Sequence, residues 1–313
     1  MLKNLAYIMP IVGRVSMGEL VREEGKVARP KKNDHFTITT QAKKQGVWVE
    51  HPIAKELASK DQSKLQAIPI RVLFDKVDLN LNESYAVFDK QGRQLCRGNG
   101  EKAIAMGRDG QWETTACPGA AHCTKPYASQ CSLLGRFDFS IARPSDPDTF
   151  RMEAFALRTG GYNSIRALRS KLELFHAAFG GLRGLPLKLV MRTKTAKASH
   201  GSNFYYADID LDCTFLEGAQ KVQKFREDAD NAGLNLPAMD EMYEKLINGH
   251  IRETEDDLEE FEEIGGGSFA LNDGWGDASL ADTALGDDEQ AQAVAPIQDW
   301  RQAGFNRGSH AAN

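Results

Sequence analysis

Four of the five cysteines in this chain, Cys96, Cys117, Cys123 and Cys131, fall between positions 96 and 131. Their spacing is C-x20-C-x5-C-x7-C, with Pro118, Gly119, Pro126 and Gly135 punctuating the loops. Nothing around them suggests secretion, so the cluster reads as a metal site before it reads as disulfides. Four thiolates at the corners of a tetrahedron satisfy Zn2+ completely and leave no open position for catalysis. The feature therefore predicts a structural zinc staple within a loop-rich region. His122, beside Cys123, offers an alternative set of three thiolates and one imidazole. The plain alternative is four independent thiols packed as small apolar side chains. Cys213 stands in the strand-like register of Tyr205, Ala207, Ile209 and Leu211 and reads as a core thiol.

A length of 313 residues suits one large domain or two smaller ones, with ample apolar content for a core. The N-terminal MLKNLAYIMPIVGRV lacks the apolar stretch and small-residue cleavage pattern of a secretory signal. No run approaches the roughly 18 apolar residues of a membrane span, so a cytoplasmic protein is expected. The net charge of -5 hides a split. Residues 1–216 carry 32 Lys+Arg against 22 Asp+Glu, a net of +10, and residues 217–313 carry 7 against 22, a net of -15. A basic body suggests contact with a polyanion or a partner, and an acidic appendage suggests a solvated tail.

The coarse pattern predicts an α+β protein with a mostly antiparallel sheet, a four-cysteine zinc loop, a packed central helix and a disordered acidic C-terminal tail. Residues 1–30 read as peripheral. Phe36 to Thr39 and Ile68 to Phe74 carry strand signals, and Ser84 to Asp89 with Arg93 to Cys96 read as a hairpin turning at Gln91-Gly92. Phe137, Phe139 and Ile141 alternate with polar residues at strand period, and Phe150 to Leu157 returns after a Pro144–Asp148 turn. Ile165, Leu168, Leu172, Phe175 and Phe179 then fall at helical spacing, with Asn163 or Ser164 as the cap and Gly180-Gly181 as the stop. A second hairpin spans Leu185 to Thr195 and Phe204 to Asp212. Residues 1–216 thus form the zinc-stapled core domain, residues 217–250 a helical extension broken near Gly233 and Pro237, and residues 251–313 the acidic tail. Phe269 and Trp275, set among acids in that tail, have the look of a short docking motif.

The second hairpin is the best non-metal candidate for contact with a polyanion. Lys188, Arg192 and Lys194 share one strand face, Lys197 and His200 extend the patch, and Phe204, Tyr205 and Tyr206 follow. Cations hold phosphates and aromatic rings stack on bases, a mixture suited to nucleic acid. Arg166 and Arg169 on the predicted helix add to it. The alternative is a hairpin kept soluble and unpaired by its lysines. Asp208, Asp210 and Asp212 alternate on the partner strand, a row that could hold Mg2+ for phosphodiester chemistry or simply face water. Gly98-Asn99-Gly100 is an incomplete dinucleotide fingerprint, and HExxH, GxSxG and P-loop patterns are missing. An enzyme is the weaker reading.

Several of these stretches together resemble one family. They are Arg29-Pro30 before Phe36-Thr37-Ile38-Thr39, Ile68-Pro69-Ile70, the Tyr85 hairpin and Cys96 before the glycines. The loop from Cys117-Pro118 to Cys131 and the strand ending Arg158-Thr159-Gly160-Gly161-Tyr162-Asn163 fit it too. The chain resembles the recombination directionality factor-like family of phages and mobile elements over roughly residues 25–215, at the level of pattern. The resemblance implies a non-enzymatic factor that binds a site-specific recombinase, a large serine integrase in the best-known members, and redirects it from integration towards excision. DNA is contacted directly or through the recombinase. It also implies metal binding at Cys96, Cys117, Cys123 and Cys131. The acidic tail lies outside the resemblance. Two other functions remain open on the residues alone: a single-stranded-DNA-binding or annealing protein of a mobile element, and a metal-dependent nuclease using the aspartate row.

Overall fold

A computed structural model of the protein describes residues 9–21, 29–58, 64–89, 94–107, 109–147, 151–195 and 203–248. The Gln91-Gly92 turn, Lys197, His200 and the acidic tail lie outside them. Among the described residues, twelve strands pair into one sheet. The chain opens with β1 (Ile11–Val21), β2 (Arg29–Lys44), β3 (Val47–Glu50) and the short helix α1 (Pro52–Leu57). Then come β4 (Ala67–Val72), one helical turn α2 (Val77–Asn80), β5 (Leu81–Phe88), β6 (Gln94–Gly98), β7 (Lys102–Met106) and β8 (Trp112–Ala116). Two 3-10 turns, Ala120–His122 and Ala128–Gln130, lead into β9 (Ser132–Ile141), β10 (Ala154–Thr159) and the helix α3 (Tyr162–Phe179). The hairpin β11 (Leu187–Thr195) and β12 (Asn203–Leu211) and the helices α4 (Phe215–Asn231) and α5 (Leu236–Asn248) complete it.

β9 is the hub. One of its edges pairs antiparallel with β10, from Gly135 opposite Thr159 to Phe139 opposite Phe155. Its other edge is shared end to end, residues 132–137 by β5 and residues 139–141 by β4. The sheet therefore forks. One limb runs through β4 to β11 and β12, and the other through β5, β6 and β7 to β8. All pairings are antiparallel except β1 with β10, so the fold is α+β with few helices and a mostly antiparallel sheet. Alternation places Phe137, Phe139, Phe155 and Leu157 in a core shared with Leu168 and Leu172 of α3 and with Ile70, Leu187 and Ile209. Each of those side chains is essentially without exposure, and burying one contributes about 1.5–3 kcal/mol. Gly180, left-handed at φ 71°, ends α3 where a Cβ would be strained.

Three expectations are corrected. The first thirty residues are not all peripheral, because β1 lies between β2 and β10 with Val15 2 % exposed. Gly13 and Gly18 dilute its strand signal, and Gly13 is needed where the Phe155 ring approaches to 2.6 Å of a notional Cβ. Neither Asn163 nor Ser164 caps α3. Gly161 holds the cap position, and Ser164 sits within the helix, its Oγ accepting the Ala207 N–H at 3.0 Å. Cys213 lies beyond the end of β12, half-buried, and not within the strand. α4 does begin on a complete capping box between Thr214 and Glu217.

α5 packs back onto the sheet. Arg183, 1 % exposed, donates to the Leu73 carbonyl at 2.8 Å, to Asp75 at 3.2 Å and to Asp240 of α5. Asp75 accepts the Leu182 and Arg183 N–H groups at 2.9 and 3.0 Å, and its own N–H donates to Asp240 at 3.2 Å. Tyr243 stacks on Phe74 with 4.4 Å between ring centroids. No helix among the described residues is long and apolar enough to cross a membrane.

Candidate metal centre and the charged hairpin

The β5–β8 limb carries the cysteines. Cys96 lies mid-strand in β6, paired with Val87 of β5 on one side and Ala105 of β7 on the other. Cys117 follows β8, its N–H donating to the Glu101 carbonyl at 2.8 Å. Cys123 and Cys131 each follow one of the 3-10 turns, and each N–H folds back to the first residue of its turn, Ala120 or Ala128. Gly119, at φ 80°, starts the first turn in a conformation that L side chains rarely adopt. These local geometries bring all four thiols to one pocket with Tyr85, Val87, Gly98, Ala103, Lys125 and Tyr127. His122 is exposed and does not line the pocket, so the four cysteines and not the imidazole alternative face it.

Burial pushes the Cys131 thiol up to about 11, and the neighbouring Cys123, Cys96 and Cys117 push in the same direction. Burial also raises Cys96, against the pull of the Lys125 charge and a hydrogen bond from Tyr127. A half-buried cluster of thiols resists holding several negative charges unless a cation joins them, and a bound metal ion inverts that preference. Thiols are the donor type that a thiophilic ion takes. Gly98 sets the room left for one of them. A Cβ at Gly98 would stand 2.5 Å from the Cys117 sulfur, so only glycine leaves that thiol its place. No three His, Cys, Asp or Glu residues among those described form a ready-made coordination group, the four cysteines included. The pocket gathers the thiols without presenting a finished shell.

The hairpin residues sit in a different electrostatic setting from the one their sequence suggests. Antiparallel pairing lays Lys188 opposite Asp210 and Arg192 opposite Tyr206, so the basic and acidic rows share a face. Lys171 of α3 donates to Asp208 at 2.8 Å and to Asp210 at 2.6 Å. Arg192 reaches the same two carboxylates, at 3.3 Å from Asp208 and 2.5 Å from Asp210, and Lys188 pairs with Asp212. Burial disfavours the charge on Lys171, but its hydrogen bonds to Asp208 and Asp210 outweigh this and raise its pKa. Burial pushes Asp210 upward, yet the Lys171 hydrogen bond and the Lys171 and Arg192 charges win and hold it below its ordinary range. Asp208 is only 6 % exposed. The row that the nuclease reading requires as Mg2+ ligands is thus engaged by three cations.

Arg169 is likewise committed, to Glu83 at 2.9 Å, Glu173 at 3.2 Å and Asp78. Arg166 and Lys194 are exposed and Tyr205 is half-buried. Sequence reasoning missed Tyr127, Lys125 and Gly98 at the thiol pocket. The first two stand inside the C-x7-C loop, which was the available signal.

Fold and site define a class: a forked, mostly antiparallel α+β protein that gathers four thiols on one limb of its sheet. The chain belongs to the recombination directionality factor-like (Gp3-like) family, which matches residues 12–212, from β1 to the end of β12. No curated protein and no solved structure matches it. The family suggests an accessory role in recombination and, in general terms, a recombinase as partner.

Proposed function

We propose that this protein is a non-enzymatic accessory factor that grips a site-specific recombinase of a phage or integrative element, and that it works in the cytoplasm. A large serine integrase is the first candidate partner. The family match supports the recombination role. The observation that carries the finer reading is the compensation of the hairpin cations, with Lys188 and Arg192 paired to Asp212, Asp208 and Asp210. Cations engaged in this way release few counterions when they meet a phosphate backbone, so direct DNA binding is weak and its salt dependence shallow. The recombinase supplies the DNA contacts.

In the same reading Cys96, Cys117, Cys123 and Cys131 hold one structural Zn2+. Bound there, the ion replaces the thiol protons and cross-links β6 to the loop that follows β8. The fit rests on the four-thiol pocket and on the Gly98 cradle. Elemental analysis is expected to give about one Zn2+ per chain, lost with the fold's stability in Cys117→Ser and Cys131→Ser, because binding energy at such a site is folding energy. Stoichiometric zinc surviving both substitutions removes the assignment.

The functional test measures labelled single- and double-stranded DNA against the full chain at low and high salt, alongside capture of the serine integrase of the same element. Integrase capture with weak DNA binding is expected. Tight single-strand binding that collapses with salt, and no integrase capture, would favour the annealing reading instead.

A further inference from the structure

The two faces of the β9–β10 pair are unlike. One holds Phe137, Phe139, Phe155 and Leu157 in the core. The other holds arginines. Arg136 of β9 stands directly opposite Arg158 of β10, a pairing of like charges that weakens a strand pair unless anions surround it. Two residues along each strand, Asp138 faces Ala156, and Ala156 is in register with Arg14 of β1 on its far side, so all five share the face. β5 sets Asn82 opposite Arg136, and Asn82 accepts from Arg97 of β6. At the β1 end the Arg14 guanidinium lies 3.7 Å from the centre of the Trp48 ring, and the Lys43 ammonium lies 4.2 Å from the same ring. Five cations thus gather on one face. Asp138 takes the Arg136 Nε–H at 2.9 Å, and Glu50, at the rim in β3, lies 4.0 Å from Lys55. The five cations outnumber these two carboxylates. Arg14 and Arg158 are only 6 % and 9 % exposed, and charges so withdrawn from water are stable beside anions.

The chain that leaves α5 starts beside this face. Met239 and Tyr243 pack in one cluster with Met9, Phe74 and Ala154, and the Tyr243 hydroxyl accepts the Met9 N–H at 3.2 Å. Ala154 lies on the arginine face, four residues or about 13 Å along β10 from Arg158. α5 ends at Asn248, and residues 253–263, outside the described residues, hold eight Asp and Glu and no Lys or Arg. The intervening five residues of chain span up to about 17 Å, enough to cross that distance. A tether this short gives an effective concentration in the millimolar range. We propose that residues 253–263 of this chain cover the arginine face, their carboxylates answering its cations, so that the intact protein shows little of that charge to a polyanion. The cover is independent of the recombinase reading and of the zinc centre.

The test uses the full chain carrying Phe261→benzoylphenylalanine, irradiated at low salt and mapped by peptide mass spectrometry. Cross-links within one chain to peptides of β1, β3, β9 or β10 are expected. Changing the eight acids to Gln and Asn should lower their yield by about tenfold, the loss of two or three ion pairs, and about 1 M salt should do the same. Arg97→Gln should weaken the cross-links, whereas Lys224→Gln on α4 should leave them at the wild-type yield. The neutralised chain should bind duplex DNA about tenfold more tightly than the intact one, through the uncovered face. Cross-links that map elsewhere, that join two chains, that keep their yield when the eight acids are neutralised, or that respond equally to Arg97→Gln and Lys224→Gln would overturn the assignment. Duplex DNA that binds the intact chain as tightly as the neutralised one, and displaces the cross-links, would make nucleic acid the occupant and overturn it too.

Discussion

Asp240→Ala tests whether α5 is part of the core's cooperative unit or an appendage to it. Asp240 is 4 % exposed and serves two donors, the Arg183 guanidinium and the Asp75 N–H. Losing the charge-assisted bond costs about 1.5–3 kcal/mol, and leaving a part-buried N–H without its acceptor adds about 1 kcal/mol. Arg183 keeps Asp75 and the Leu73 carbonyl, so the loss stays below the ~3–5 kcal/mol typical of a fully orphaned buried charge. The expected destabilisation is ~2–4 kcal/mol, a fall of several degrees in Tm at ~2–4 °C per kcal/mol. Urea unfolding followed by near-ultraviolet circular dichroism is the assay, since Tyr243 stacks on Phe74 and reports the docking directly. The midpoint should fall with the slope unchanged. A change within about 0.5 kcal/mol for Asp240→Ala, or a separate early transition reporting only Tyr243, would show that α5 unfolds on its own and refute the reasoning.

On the proposed zinc reading, Gly98→Ala should lower zinc uptake while altering no cysteine, because the new methyl would occupy space 2.5 Å from the Cys117 sulfur; zinc content and far-ultraviolet spectra separate this from unfolding. The pH dependence has a definite sign. Asp210 is held below its ordinary pKa in the folded protein, so its contribution is present above the unfolded carboxylate range and is lost as pH falls through the folded value. Asp210→Asn should flatten the acid limb of a stability–pH curve, and a limb of unchanged slope would argue against the Lys171–Arg192–Asp210 coupling. Lys171→Met should destabilise by about 1–2 kcal/mol in thermal or urea unfolding, since Asp208 and Asp210 keep Arg192 but each loses the Lys171 ammonium.

Periodicity made some elements visible and hid others. The 3.6-residue spacing of Ile165, Leu168 and Leu172 announced α3, and the alternation of Phe137, Phe139 and Ile141 announced β9, because both elements bury one face completely. β7 (Lys102–Met106) and β8 (Trp112–Ala116) went unseen. The first is alanine-rich, the second is exposed along most of its length, and both exist through pairing outward from β6. The thiol cluster was legible because cysteine is rare enough for four in one stretch to stand out. The residues that share its pocket were not, since a tyrosine or a lysine acquires meaning only when folding sets it in the same pocket as the thiols.

The hairpin shows the same limit in charge and bears on what the protein grips. Read along the chain, Lys188 and Arg192 form a basic row and Asp208, Asp210 and Asp212 an acidic one some twenty residues later. Antiparallel pairing superimposes them, and the face becomes a mixed lattice in which each sign answers the other. A net charge of +10 over residues 1–216 therefore overstates the field this hairpin presents. Phosphate backbones reward uncompensated cations, whereas a protein partner can engage alternating charges pair by pair and gain register from them. The lattice thus favours a protein as the first contact, and a salt series on the recombinase complex would give a shallower slope than one on a DNA complex of similar affinity.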